Sequence, residues 1–201
     1  MFSVTNLVVI VFSYLIGSIS FGYLVGKYIG KIDIRRFGSG NVGTTNIWRT
    51  LGWKAGVIAF LGDAFKGMLA ALVGLRFGGE GLAVLAGIMA LIGHTYSIFL
   101  SFKGGKAVAT GLGIITVLMP MVALGAFLLW VTILYLTKYV SLASIVAASS
   151  LPIMALVLSE PWQYLTFCLF GAVFVFYKHL PNIKRLRSGQ EFKIGQKVKV
   201  K

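Results

Sequence analysis

The sequence predicts an all-α integral membrane protein: seven transmembrane helices in a single polytopic domain, N-terminus outside and C-terminus cytoplasmic. Three observations predict it. First, 58% of the 201 residues are hydrophobic and only 12% are charged, with a mean hydropathy of +0.90. That is more apolar surface than a soluble domain of this length can bury. Second, apolar runs recur along the chain, and a spanning helix needs roughly 20 such residues. Third, the net charge of +14 is concentrated in alternate connecting segments, as cytoplasmic loops require.

The first span runs over about 6–27. No basic segment precedes it and it is long enough to cross, so it reads as a span and not as a cleavable signal. The second follows Lys54 and ends near Arg76; "RFGGEG" then turns the chain into a third that ends near His94. Residues 107–137 carry no charge. The run is too long for one ordinary helix, and a bend at Pro120 makes it two. Residues 139–177 divide at "SEPW", and Pro181 is expected to end the last span. With the N-terminus outside, every Lys and Arg lies on an inner segment except Lys66, inside the second span, and Arg76. A single span over 107–137 would put the basic C-terminal tail outside. Glycines within the spans, among them Gly17, Gly67, Gly113 and Gly171, predict close helix packing. The lone Cys168 excludes an intramolecular disulfide and reads as a small apolar residue.

The outer loops are short and nearly featureless, whereas three inner loops, 38–49, 94–110 and 178–191, concentrate polar residues. The first holds "GSGNVGTTN". It matches the dinucleotide pattern G-x-G-x-x-G, and Asp63 even stands twenty residues after Gly43. No strand precedes it, however, and Asp63 lies in a span. The Walker pattern also nearly fits, but Thr44 stands where lysine belongs. What survives is the physics shared by both: glycines that let successive N–H groups converge on an anion. Ser39, Gly40, Asn41, Gly43, Thr44, Thr45 and Asn46 would line such a site. Arg49 would add a bidentate, charge-assisted pair.

The second loop, "GHTYSIFLSFKGGKAVATGLG", places His94, Lys103, Gly104, Gly105 and Lys106 before the fourth span. Free N–H groups, a helix dipole and two ammonium groups make an anion site; the plainer reading is a pair of snorkelling lysines. The third, "YKHLPNIKRLRSGQE", carries His179 and Asn182 nearest the membrane, then Lys184, Arg185, Arg187 and Glu191. Part of this basic content, with "KIGQKVKVK", reads as an anchor to anionic lipid. Ser141 and Ser144 open the sixth span, as helix caps or as ligand contacts. Asp63 and Lys66, spaced i, i+3 inside a span, are expected to form a structural ion pair.

"GSGNVGTTN", "GHTYSIFLSFKGGKAVAT", "KYVSLAS" and "HLPNIKRLRSGQE", in that order over nearly the whole chain, resemble the bacterial acyl-phosphate:glycerol-3-phosphate acyltransferases, the PlsY family. The resemblance implies seven membrane helices in the bacterial cytoplasmic (inner) membrane, with the motif loops and active site facing the cytoplasm. It implies transfer of a fatty acyl group from acyl phosphate to the 1-hydroxyl of glycerol 3-phosphate, the first step of phospholipid synthesis. The residues agree in offering two separate glycine-plus-cation sites for two phosphate-bearing substrates.

The H-x-x-x-x-D base of other glycerolipid acyltransferases is absent, since Phe99 stands five residues after His94. With five acidic residues in all and no Cys/His grouping, neither metal nor cofactor is expected. Catalysis is read as positioning plus electrostatics. Arg49, Lys106, His179 and Asn182, with Ser141, would hold the glycerol phosphate. The first motif loop, with Lys103, would hold the acyl phosphate. A substrate phosphate oxygen or His179 would take the hydroxyl proton. His94, Gly104, Gly105, Ser144, Arg185 and Glu191 complete the expected substrate-binding set. Membrane lipids are the expected surroundings; a monomer and no nucleic-acid partner are expected. The alternative from another class is an anion or phosphate-ester transporter, which the single outer cation, Arg76, does not favour.

Overall fold

The computed structural model describes residues 3–196; they form helices and connecting turns with no β-strand. The final "KVKVK" of the basic tail lies outside the described residues. The chain divides into two compact units, one built on Met1–Ile114 and the other on Ile115–Ile194.

In the first unit the expected span over 6–27 is two helices, α1 (Val4–Ser18) and α2 (Phe21–Tyr28). Ile19 and Ser20 between them adopt extended backbone, and Ser20 caps α2 by accepting the Tyr23 N–H at 3.3 Å. A break in an apolar interior frees backbone groups that water cannot reach. They find partners on α4 (Trp53–Thr95). The Ile19 carbonyl accepts from Lys66 Nζ, and the Phe21 N–H points to Asp63 Oδ1 at 3.4 Å. Asp63 and Lys66 pair at 2.8 Å, each 1% exposed. The ion pair expected within one span therefore also closes a break in another.

Helix α4 reverses where "RFGGEG" was expected to turn. Gly78 and Gly79 leave helical geometry, Gly79 at φ +64. A methyl on Gly74 would lie 2.4 Å from Ala83 Cα; in a straight helix those residues stand about 13 Å apart. The two arms of α4 are thus a hairpin. Small residues permit the close approaches predicted for spans: a methyl on Gly17 would lie 2.4 Å from the Ala90 carbonyl, and one on Gly67 2.1 Å from that of Thr110. At Gly171 nothing lies within 4 Å, so close packing does not explain that glycine.

The bend in 107–137 falls between α5 (Val108–Leu118) and α6 (Pro120–Thr137), with Pro120 in the first turn of α6, where its missing N–H costs nothing. The second unit continues with α7 (Val140–Val157) and α8 (Trp162–Lys178), joined through "SEPW". Cys168 is buried, as read from the sequence, with its thiol 3.8 Å from Met119 Sδ. Pro181 does not end the last long helix. That helix ends at Lys178, and Pro181 sits in the first turn of α9 (Leu180–Arg187), which is bent from α8 by 54°. Proline fits a helix's first turn, where its missing N–H costs nothing.

Among the described residues four helical stretches are long and apolar enough to cross a membrane: Val4–Tyr28, Trp53–Leu100, Pro120–Thr137 and Val140–Val157. A fifth results if α8 and α9 count as one bent span, and Val108–Leu118 is a shorter apolar helix.

Candidate active site

The first motif loop is organised from beneath by one side chain. Asn46 is 2% exposed. Its Nδ2 donates to the carbonyls of Phe37 and Asn41, each at 2.9 Å, and more weakly to that of Ile34 at 3.4 Å. Its Oδ1 accepts the Ser39 N–H at 3.0 Å. Buried Ile34, Val42 and Ile47 fasten the loop to Val25, Ala55 and Ala59. Gly38 and Gly40 carry positive φ, and a methyl on Gly38 would lie 2.2 Å from Asn46 Oδ1.

This geometry corrects the expected run of converging amides. The Ser39 N–H is held by Asn46, that of Gly40 by the Phe37 carbonyl at 2.9 Å, and that of Gly43 by Asn41 Oδ1 at 2.8 Å. Asn46 and Asn41 thus act as scaffold, and the glycines supply left-handed backbone. What faces outward begins at α3 (Thr44–Leu51), whose N-cap Gly43 offers no side chain. The Thr44 and Thr45 amides have no intrahelical partner, and the Thr44 hydroxyl is buried without a partner among the described residues. Ser39 is exposed. Arg49 lies one turn beyond Thr45 on the same face of α3.

The second loop is corrected in the same way. Lys103, Gly104 and Gly105 donate their N–H groups to the carbonyls of Leu100, Thr95 and His94, at 3.1, 2.9 and 3.1 Å. Those amides are not free for an anion. A methyl on Gly104 would lie 2.0 Å from the His94 carbonyl, and one on Gly105 2.2 Å from His94 Nε2, so the double glycine seats the loop against His94. His94 is 3% exposed. Its Nδ1 lies 3.2 Å from Thr110 Oγ1 and 3.6 Å from Asp63 Oδ1. The structure places it in the buried polar group around Asp63 and Lys66. Lys103 is exposed and Lys106 half-buried.

The second unit holds a polar cluster of its own residues. His179, 3% exposed, stands at the bend between α8 and α9, with Nδ1 2.8 Å from the Val175 carbonyl. A carbonyl only accepts, so Nδ1 carries a proton. Glu191 collects donors from three directions. Its Oε1 accepts from Ser141 Oγ at 2.8 Å and Asn182 Nδ2 at 2.6 Å; its Oε2 accepts from Arg185 Nε at 2.7 Å. Neither serine of α7 caps the helix. Ser144 donates to the Val140 carbonyl at 2.9 Å and accepts from Trp130 Nε1 at 3.1 Å, a packing role sequence reasoning missed. Glu191 is correspondingly a hub for three expected site residues; its isolation as one acid in a basic segment was the available signal. Among the described residues no three His, Cys, Asp or Glu side chains gather as a metal site needs.

Burial raises the Glu191 carboxyl, but hydrogen bonds from Asn182, Ser141 and Arg185 outweigh it and hold the group below its ordinary 4.5. A depressed carboxylate stabilises the fold fully above its unfolded value and loses that contribution as pH falls through the folded one. The thermal midpoint of the wild type is therefore expected to drop below about pH 4.5. Glu191→Gln should lack this component of the decline. Asp33 titrates in the same direction, held to about 2 chiefly by its hydrogen bond with Arg35, and the paired comparison cancels it. Parallel declines in the two proteins would refute the assignment.

A family model described as glycerol-3-phosphate acyltransferase matches residues 7–189. The chain belongs to this family. Its sequence is 48% identical over 195 residues to the glycerol-3-phosphate acyltransferase of Alkaliphilus metalliredigens, covering 97% of this chain and 99% of that one. It is 47% identical to the family member of Desulforudis audaxviator, covering 92% and 93% of the two chains. Its fold is similar to the crystal structure of PlsY, an integral membrane glycerol 3-phosphate acyltransferase, in its glycerol 3-phosphate form. The TM-score is 0.91 at 40% identity, over 94% of this chain and 96% of that one. The lysophosphatidic acid form of PlsY gives 0.88 at 39% identity, over 95% and 96%. Membership of an integral membrane family accords with the long apolar helices.

Proposed function

We propose that this chain is a multi-pass membrane acyltransferase that moves a fatty acyl group from acyl phosphate to the 1-hydroxyl of glycerol 3-phosphate. The products are 1-acylglycerol 3-phosphate and phosphate. The observation that carries this reading is the likeness, over nearly the full chain, to a structure described in its glycerol 3-phosphate form. The hydroxyl oxygen attacks the acyl carbon and forms the new ester. The bond from that carbon to the phosphate oxygen breaks, and phosphate leaves with the electron pair. The hydroxyl proton goes to a phosphate oxygen or to His179 Nε2. An acyl phosphate is already activated, so weak bases suffice and the work is positioning and charge stabilisation.

Roles follow from chemistry. Phosphate recognition falls to the helix start at Thr44 and Thr45 with Ser39, and to Arg49, Lys103 and Lys106. His179 and Asn182, with Ser141, join Arg49 and Lys106 in holding the glycerol phosphate. The Lys and Arg distribution supports seven spans, with the N-terminus outside and the motif loops in the cytoplasm. The two arms of α4 and the short α5 supply the crossings that length alone does not count. We propose a monomer in the bacterial inner membrane.

The test is purified protein with acyl phosphate and labelled glycerol 3-phosphate, without added metal, run beside acyl-CoA and acyl carrier protein donors. Labelled lipid is expected from acyl phosphate; its absence would sink the reading. The base is separated by His179→Gln. Substantial residual activity with an unshifted pH–rate profile assigns the proton to phosphate, and complete loss with the fold intact assigns it to His179.

A further inference from the structure

Hydrogen-bond direction in the second unit carries a more specific conclusion, which rests on the proposed reaction. An ionised carboxylate can only accept. The contact of 2.8 Å from Ser141 Oγ to Glu191 Oε1 therefore commits the single hydroxyl proton of Ser141 to Glu191. Asn182 and Arg185 both donate to the same carboxylate and favour its charged form. What Ser141 retains is lone pairs. A phosphate monoester near neutral pH is mostly dianionic, and its oxygens likewise offer lone pairs. Ser141 held this way has nothing to donate to phosphate, and the adjacent carboxylate repels an anion. An alcohol is different, because its O–H can donate to the Ser141 oxygen.

We propose that Ser141 accepts a hydrogen bond from a hydroxyl of the glycerol moiety instead of holding the phosphate. Glu191 is the positioning residue that fixes this polarity. The expectation from sequence, in which Ser141 helps to hold the glycerol phosphate and Glu191 belongs to the phosphate-binding set, is revised accordingly. The pairing also serves specificity, because a buried acceptor left without its substrate hydroxyl is unfavourable.

The experiment uses the full-length enzyme in detergent at saturating acyl phosphate. Propyl phosphate, which keeps the phosphate and carbon chain but lacks both hydroxyls, serves as an inhibitor competitive with glycerol 3-phosphate. In Ser141→Ala, kcat/KM for glycerol 3-phosphate is expected to fall about tenfold or more, while the inhibition constant of propyl phosphate stays within about twofold of wild type. Glu191→Gln should show the same split, because a glutamine amide can donate to Ser141 and undo its fixed direction. An inhibition constant that rises in step with the loss of kcat/KM in Ser141→Ala would overturn the proposal, since Ser141 would then hold phosphate. Markedly tighter propyl phosphate binding in Glu191→Gln with kcat/KM retained would also overturn it, showing Glu191 to be the occupant of an anion site. A wild type that forms no acylglycerol phosphate defeats the reaction itself. Failure of this inference alone leaves the wild type active and only the pattern among variants wrong.

Discussion

Lys66→Met is expected to destabilise the folded protein by about 3–5 kcal/mol, the range for removing one partner of a buried ion pair. Asp63 and Lys66 are each 1% exposed and 2.8 Å apart. Methionine matches the length of the lysine stem but leaves the Asp63 carboxylate, among the described residues, with only the long contacts to the Phe21 N–H, at 3.4 Å, and His94, at 3.6 Å. It also strips the Ile19 carbonyl of its Lys66 donor, in a region where unpaired backbone groups cannot turn to water. The neutral double variant Asp63→Asn/Lys66→Gln keeps one acceptor and one donor at the same places and should lose less than the single variant. Unfolding in detergent measures both. A Lys66→Met protein within about 1 kcal/mol of wild type would mean that the pair does not hold the α1–α2 break.

Gly104→Ala is expected to lower kcat/KM for the acyl transfer about a hundredfold, the scale of loss for a displacement of about 1 Å near reacting groups. The added methyl would stand 2.0 Å from the His94 carbonyl oxygen and 2.9 Å from that of Thr95. Both are backbone atoms, so no side chain can swing aside. The loop must lift, and the Gly104 and Gly105 N–H bonds to Thr95 and His94 stretch with it. Lys103 and Lys106 on either side move as well. Gly171→Ala is the control. Nothing lies within 4 Å of its added methyl, and alanine is the better helix former, so activity and stability should match or exceed wild type. Steady-state kinetics on the two variants decides; equal activity in both would remove the steric argument.

The membrane class, the hairpin at "RFGGEG", the bend before Pro120 and the division at "SEPW" were legible because each is written in a local run of residues. Hydropathy, charge and a proline in a helix's first turn act over a few turns of chain. The Asp63–Lys66 pair was legible for the same reason, being one helical turn apart. The break at Ile19–Ser20 was not, since apolar residues continue the pattern on both sides of it. The groups that close it lie on α4, 42 and 47 residues away.

The polar loops show the same divide more sharply. Glycines, asparagines and lysines marked 38–49 and 94–110 as peculiar, and that much needed only composition. Whether their amides were open to a ligand depended on which acceptor each one met. Asn46 takes the Ser39 amide, and the carbonyls of His94 and Thr95 take those of Gly105 and Gly104. Ser141 and Glu191, 50 residues apart, read separately as a cap or glycerol phosphate contact and as a substrate-binding residue; together they are a donor and its acceptor. The sequence by itself determined that this is a basic membrane chain, because hydrophobicity and charge sum along the chain, and its motifs carried the resemblance to the acyltransferase family. Only the tertiary structure decided which polar groups remain for substrate, because a hydrogen bond joins two particular atoms and folding chooses the pairs.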